Sequence, residues 1–232
     1  MKIPFNRKFD YPELAREQIN GYRHYVTPNG YAPSVTTILS NTKSEESKKI
    51  LDDWIAAVGT QTAEKIKTEA ANVGTVVHKL LEEYCLGIEK PLRTNLVYKI
   101  AYPMAQTIIQ QGLIPHMSEI IGSEVAVHYD ILYAGTTDLV GIWDGKLSII
   151  DFKQSNKEKL ENSAAVDDYK CQLAAYAIAH NEMFGTDIQH GVILMSTRDC
   201  KYLQFSLNDH YETYASKWLD KVEEYHLKLN KH

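Results

Sequence analysis

The sequence predicts an α/β fold, a central mixed β-sheet flanked by helices. A run of strands between residues 124 and 153 carries a tight hairpin. A long helical pattern from Ala164 to Phe184 separates that run from a second pair of strands. Helical periodicity fills most of the chain before residue 115 and all of it after residue 209. At 232 residues one domain is expected, with an N-terminal hairpin and helical cover over 1–115 and the sheet core with its flanking helices over 116–232.

In order, Tyr22–Thr27 and Tyr31–Leu39 read as an opening hairpin across Pro28-Asn29-Gly30. Ser40 to Ser44 reads as a loop. A helix is expected from Glu45 to Val58, ending at Gly59, and a second from Thr62 to Leu86 with Gly74 as a candidate break. A third spans Asn95 to Gln111, where Pro103 marks a start, break or kink. Glu124–Tyr129 alternates as a strand. Tyr133–Trp143 and Lys146–Lys153 then form a hairpin, because Asp144-Gly145 suits a type I′ turn. Asn156–Glu161 is a polar loop. Ile188–Ser196 and Lys201–Ser206 pair across Thr197–Cys200, and a last helix runs from Asp209 to Leu229.

Composition narrows the function classes. No apolar run is long enough to span a membrane, and the first ten residues lack the apolar stretch of a secretory signal. Early acids (Asp10, Glu13, Glu17) also disfavour a transit peptide. Cys85, Cys171 and Cys200 are far apart, so neither a zinc set nor an iron–sulfur cluster is indicated, and an intracellular setting is expected. No GxxxxGK[ST] loop is present, so no ATP site is expected. The net charge of −5 requires any phosphate-binding surface to be local, a basic groove on an acidic body.

The chemistry concentrates in the central hairpin. Asp151 and Lys153 are two apart and share a strand face, while Phe152 points into packing. Counting back from the turn pairs Lys146 with Trp143 and Asp151 with Asp138, cross-strand neighbours about 5 Å apart at Cβ. Carboxylates that close repel unless a cation lies between them, and hard oxygen donors select Mg²⁺ or Mn²⁺. The alternative is a surface hairpin in which Lys153 merely neutralises Asp151. His78 and Glu82 are helix neighbours at i and i+4, so Glu82 is placed to orient the imidazole and leave its other nitrogen for a metal; a packing histidine is the alternative. Glu124 is either a further carboxylate ligand or an exposed strand end. Arg23 and Tyr25 alternate on the first hairpin, either touching nucleic acid or forming a solvated edge. Lys43, Lys48, Lys49, Lys65 and Lys67 are read as solvated helix charges, and among the 15 tyrosines some are candidates to stack on unpaired bases.

The run Gly135-Thr-Thr-Asp138, an apolar strand, then Asp151-Phe-Lys153 resembles the core of the PD-(D/E)XK nuclease superfamily, more narrowly its RecB-type exonuclease branch with its phage and mitochondrial members. Gly74-Thr-Val-Val-His78 with Glu82 resembles that branch's upstream helix, Gln172-Leu-Ala-Ala-Tyr176 its Q-x-x-x-Y helix, and Pro33-Ser-Val-Thr-Thr-Ile-Leu39 an early segment of the same relatives. The resemblance covers residues 22 to 206. Thr137 stands where the name-giving proline would be, and the cysteine cluster of some relatives is absent.

The resemblance implies a restriction-endonuclease-like core and a Mg²⁺- or Mn²⁺-dependent DNA exonuclease, acting on single strands or free ends in replication, recombination or repair. It implies one or two ions held by His78, Asp138, Asp151 and the Phe152 carbonyl. Lys153 would position water, and Gln172 and Tyr176 would line the DNA path. The helices before residue 115 would cover the site and admit a single strand. Replication or recombination proteins are the implied partners, and the cytoplasm of a bacterial or phage-infected cell the implied setting, with the mitochondrion as the other. A double-strand exonuclease, an endonuclease and a non-catalytic DNA-binding module on the same fold are the competing readings.

Overall fold

The structure is a computed structural model that describes residues 2–229. Its first sheet is small and antiparallel, with β1 (Arg16–Ile19), β2 (Tyr22–Thr27) and β3 (Gly30–Pro33) in that order. The strand expected over Tyr31–Leu39 stops at Pro33. There Ser34 Oγ accepts from the Thr37 N–H at 3.0 Å, and this cap starts helix α1 (Val35–Asn41). Helix α2 (Glu45–Val58) has the expected bounds. Ser44 caps it, Glu45 and Glu46 complement its dipole, and Gly59 ends it at φ +84°.

Helix α3 (Thr60–Cys85) runs unbroken through Gly74, because its tertiary packing outweighs the weak propensity of one glycine. Helix α4 (Leu96–Ile108), capped by Asn95, contains Pro103 and passes into a π turn (Ile109–Leu113) and the single turn α5 (Ile114–His116).

The main sheet follows: β4 (Met117–Tyr129), β5 (Tyr133–Trp143), β6 (Lys146–Ser155), then helix α6 (Ala164–Phe184), β7 (His190–Thr197), β8 (Tyr202–Ser206) and helix α7 (Tyr211–Leu229). Spatial order matches chain order. The β6–β7 pair is parallel, with α6 as its crossover, and the other pairs are antiparallel. Strand β4 begins at Met117, seven residues before the expected Glu124. Register shifts at Met117/Glu119 and Ile120/Gly122 break the period-two pattern that would have revealed its first half. The β5–β6 turn has Asp144 at φ +46° and Gly145 at φ +80°, as a type I′ turn requires.

Two cores sandwich this sheet. On one face Val73, Val77 and Leu81 of α3 and Met104 and Ile108 of α4 pack on Leu139, Ile150 and Phe152. On the other, α1, α6 and α7 pack on Val140 and Ile149. Leu139/Val140 and Ile149/Ile150 therefore face alternate layers, which explains why the hairpin strands read as continuous apolar runs. Each such side chain contributes about 1.5–3 kcal/mol by burial, so β5 and β6 are a rigid platform for the polar residues that follow them.

Candidate active site

The β5–β6 ladder ends at Leu139↔Ile150. The next rung would be Asp138 opposite Asp151, the pairing expected from the turn count, but the strands part there. The Phe152 N–H donates instead to Asp138 Oδ2 at 2.6 Å. Asp138 Oδ1 lies 3.1 Å from His78 Nδ1, which α3 brings across from the helical layer. Burial pushes the Asp138 carboxyl up, but His78, Lys153 and the Phe152 N–H together outweigh it and hold the group below its usual range. Burial likewise pushes His78 down, and the charge and hydrogen bond of Asp138, together with the Asp151 charge, more than reverse this.

Asp151 is 2% exposed and ion-pairs with Lys153. Burial raises its carboxyl to about 6 despite that ammonium, with the Asp138 charge adding to the effect. Lys153 resists burial because Asp151 and Asp138 favour its charged form. Its ammonium also donates to Gln172 Oε1 at 3.1 Å and lies 5.1 Å from the Tyr169 ring centroid. Gln172 in turn donates from Nε2 to the Tyr176 hydroxyl at 2.9 Å. Gly135 permits this approach, because a Cβ there would lie 2.5 Å from Tyr176 Cε1.

Glu124 takes up φ +51°, an uncommon conformation for a strand residue with a side chain. The residue keeps solvent contact, yet desolvation in the cleft and the nearby Asp138 charge raise its carboxyl to about 7. His78, Glu124 and Asp138 offer donor atoms that all lie within 4.8 Å of one another. A small divalent ion binds at about 2.1 Å, so opposite ligands around it stand about 4.2 Å apart, and this imidazole-and-carboxylate set fits one after slight contraction. Asp151 falls outside that tight group and faces Lys153.

His78, Glu124, Asp138, Asp151, Lys153 and Gln172 line one cleft of about 700 Å³. Its basic residues are Arg16, Arg23, Lys79 and Lys153, and its acids are Glu82, Glu124, Asp138 and Asp151. The expected basic groove is thus charge-balanced overall, and an added cation would tip it toward phosphate. Of the helix lysines, Lys48 pairs with Glu45 and Lys67 with Glu64.

Three curated relatives match the chain, each named mitochondrial genome maintenance exonuclease 1. The Xenopus tropicalis protein is 29% identical over 85% of this chain, and the Mus musculus protein 31% over 83%. The chain spans 58% of the length of each. A solved structure of a candidate exonuclease from Eubacterium rectale superposes with a TM-score of 0.51 and 16% identity, covering 70% of this chain and 66% of that one. No protein-family model matches. The chain is a homologue of these exonucleases over most of its own length.

Within this exonuclease homologue several residues differ from their expected surroundings. Glu82 accepts from Lys79, three residues before it, at 2.8 Å, while His78 is held by Asp138. Gln172 and Tyr176 are 7% and 3% exposed, so they face Lys153 and each other more than any bound strand. Tyr25 is also buried, its hydroxyl 3.2 Å from Thr136 Oγ1, which leaves Arg23 as the exposed member of that pair. Thr137, in place of the proline, is fully buried.

Sequence reasoning missed Arg16, Thr136, Gln154 and Tyr169. Gln154 donates to the Ala70 carbonyl of α3 at 3.0 Å and so ties the His78 helix to β6. The only available signal was its place on the strand, two residues after Phe152 and one after Lys153.

Proposed function

We propose that the protein is a metal-dependent DNA exonuclease hydrolysing phosphodiester bonds. The observation that carries this reading is the convergence of His78, Asp138, Asp151 and Lys153 where two buried strands part, in a homologue of exonucleases. His78, Asp138 and Glu124 would hold a Mg²⁺ or Mn²⁺ ion, with Asp151 and the Phe152 carbonyl completing the set. Such an ion, when bound, polarises the phosphate and makes a water more acidic.

The chain's own groups do the rest. Lys153 is kept charged by Asp151 and kept in place by Gln172 and Tyr169, so its ammonium can neutralise the non-bridging oxygen as charge develops there. The Phe152 N–H fixes Asp138, and Asp138 fixes the imidazole. Water adds its oxygen to phosphorus and the P–O ester bond breaks; one of the water's protons ends on the leaving hydroxyl and the other is released from the new terminal phosphate. The relatives' name supports DNA as the substrate, and the single-strand or free-end preference extends that reading.

Digestion of end-labelled single-stranded, duplex and circular DNA with Mn²⁺ tests the proposal. Linear strands should shorten from an end and circles should survive. Asp138→Asn and Lys153→Met should each slow cutting at least about 100-fold with an unchanged circular dichroism spectrum. Full activity in excess chelator, or in Asp138→Asn, overturns the mechanism, and cutting of circles overturns the exonuclease assignment.

A further inference from the structure

The catalytic cleft continues past Arg16 into a second recess of about 510 Å³, which also contains Arg7, Tyr11 and Ser123. Arg16, Thr136 and Glu124 line both spaces and form the junction. The recess has the size of an ordinary small-ligand pocket, roughly 300–1,000 Å³.

Arg16 is exposed but not loose. It stands opposite Tyr25 in the β1–β2 register, its guanidinium lies 5.5 Å from the Tyr25 ring centroid, and it donates to Thr136 Oγ1 at 2.8 Å. Glu124 at the junction feels its charge, but no carboxylate lies within ion-pair distance of it among the described residues. The fork therefore keeps donors free while its position is held, the state in which arginine recognises phosphate well. Arg7 differs, since its guanidinium is engaged by the Phe9 and Tyr11 carbonyls. Thr136 precedes Asp138 by two residues on β5, which sets the Arg16 anchor about 7 Å along the strand from the catalytic carboxylate, the reach of one nucleotide. Inside the recess the Ser123 hydroxyl is buried and has no hydrogen-bond partner among the described residues.

We propose that Arg16 binds the backbone phosphate adjacent to the scissile one, and that the recess receives the nucleotide carrying it. This rests on the nuclease reading and adds to it the direction in which the strand leaves the metal-binding acids. Arg16 is a substrate-binding residue in this scheme, and the phosphate it holds sets where along the strand the cut falls.

The test compares an all-phosphate single strand with strands bearing one uncharged methylphosphonate, walked along the linkages, using the intact chain and Mn²⁺. In the wild type, the methylphosphonate next to the cleaved linkage should slow cutting about 10- to 100-fold, the worth of one charge-assisted hydrogen bond. Arg16→Gln should be slowed by a similar factor on the all-phosphate strand and should be indifferent to that methylphosphonate. Arg16→Lys, which keeps the charge without the fork, should fall between and remain sensitive. Equal methylphosphonate penalties in wild type and Arg16→Gln at every position overturn the proposal. If the wild type does not cut at all, the nuclease reading fails separately. The same strands then go into fluorescence anisotropy, where equal affinities of wild type and Arg16→Gln overturn the Arg16 site.

Discussion

Tyr176→Phe distinguishes a residue that touches the substrate from one that holds another residue in place. The change removes one oxygen, 2.9 Å from Gln172 Nε2, from a side chain only 3% exposed, so the cleft surface hardly alters. The Gln172 amide, itself 7% exposed, loses its partner. An unmet buried donor costs about 1–3 kcal/mol, and partial rotation of the amide should keep the loss near the lower end. The unfolding free energy in urea should therefore fall by about 1–2 kcal/mol with an unchanged m-value.

Gln172 is also the acceptor for Lys153 at 3.1 Å. If about 1 kcal/mol of that loss reaches the ammonium in the transition state, kcat falls roughly five-fold. Steady-state hydrolysis of a single-stranded oligonucleotide measures this. KM should stay within a factor of two of wild type, taken as roughly the noise of such an assay. A KM raised several-fold at constant kcat would show the phenol contacting the strand, and unchanged stability together with unchanged kcat would show that no Lys153–Gln172–Tyr176 relay operates.

Two further outcomes concern the cation and pH. Mn²⁺ at about 100 times its dissociation constant should stabilise the wild type by about 2.7 kcal/mol; in thermal unfolding Asp138→Asn and His78→Ala should abolish this shift and Glu124→Gln should reduce it, and a wild type that does not respond refutes the site. His180 is fully buried between the Tyr11 hydroxyl and Thr186, and burial lowers it to about 4 from 6.5. As pH falls from 6.5 to 4 the unfolded chain takes up a proton that the folded chain refuses, so up to about 3 kcal/mol of stability is lost across that window. Urea titrations should show this slope in the wild type and a flatter one in His180→Gln; equal slopes would mean another group titrates.

The α/β architecture and most helix bounds were legible because they rest on local rules. Ser44 and Gly59 bracket α2, Asp144-Gly145 makes one kind of turn, and the apolar runs beside it can only be buried strands. The acids, the histidine and the lysine were likewise visible from residue type, strand alternation and resemblance. Only the tertiary structure decided how they meet. Counting from the turn put Asp138 against Asp151, yet whether two strands stay paired depends on what competes for their backbone groups, and here a carboxylate takes the Phe152 N–H. The same holds for Tyr176, whose burial depends on Gly135 in a strand 41 residues away, whereas Glu82 is taken by Lys79 of its own helix. Periodicity reports which face a residue occupies; the distances that make carboxylates, imidazole and ammonium one site arise from packing between layers that are far apart in the chain.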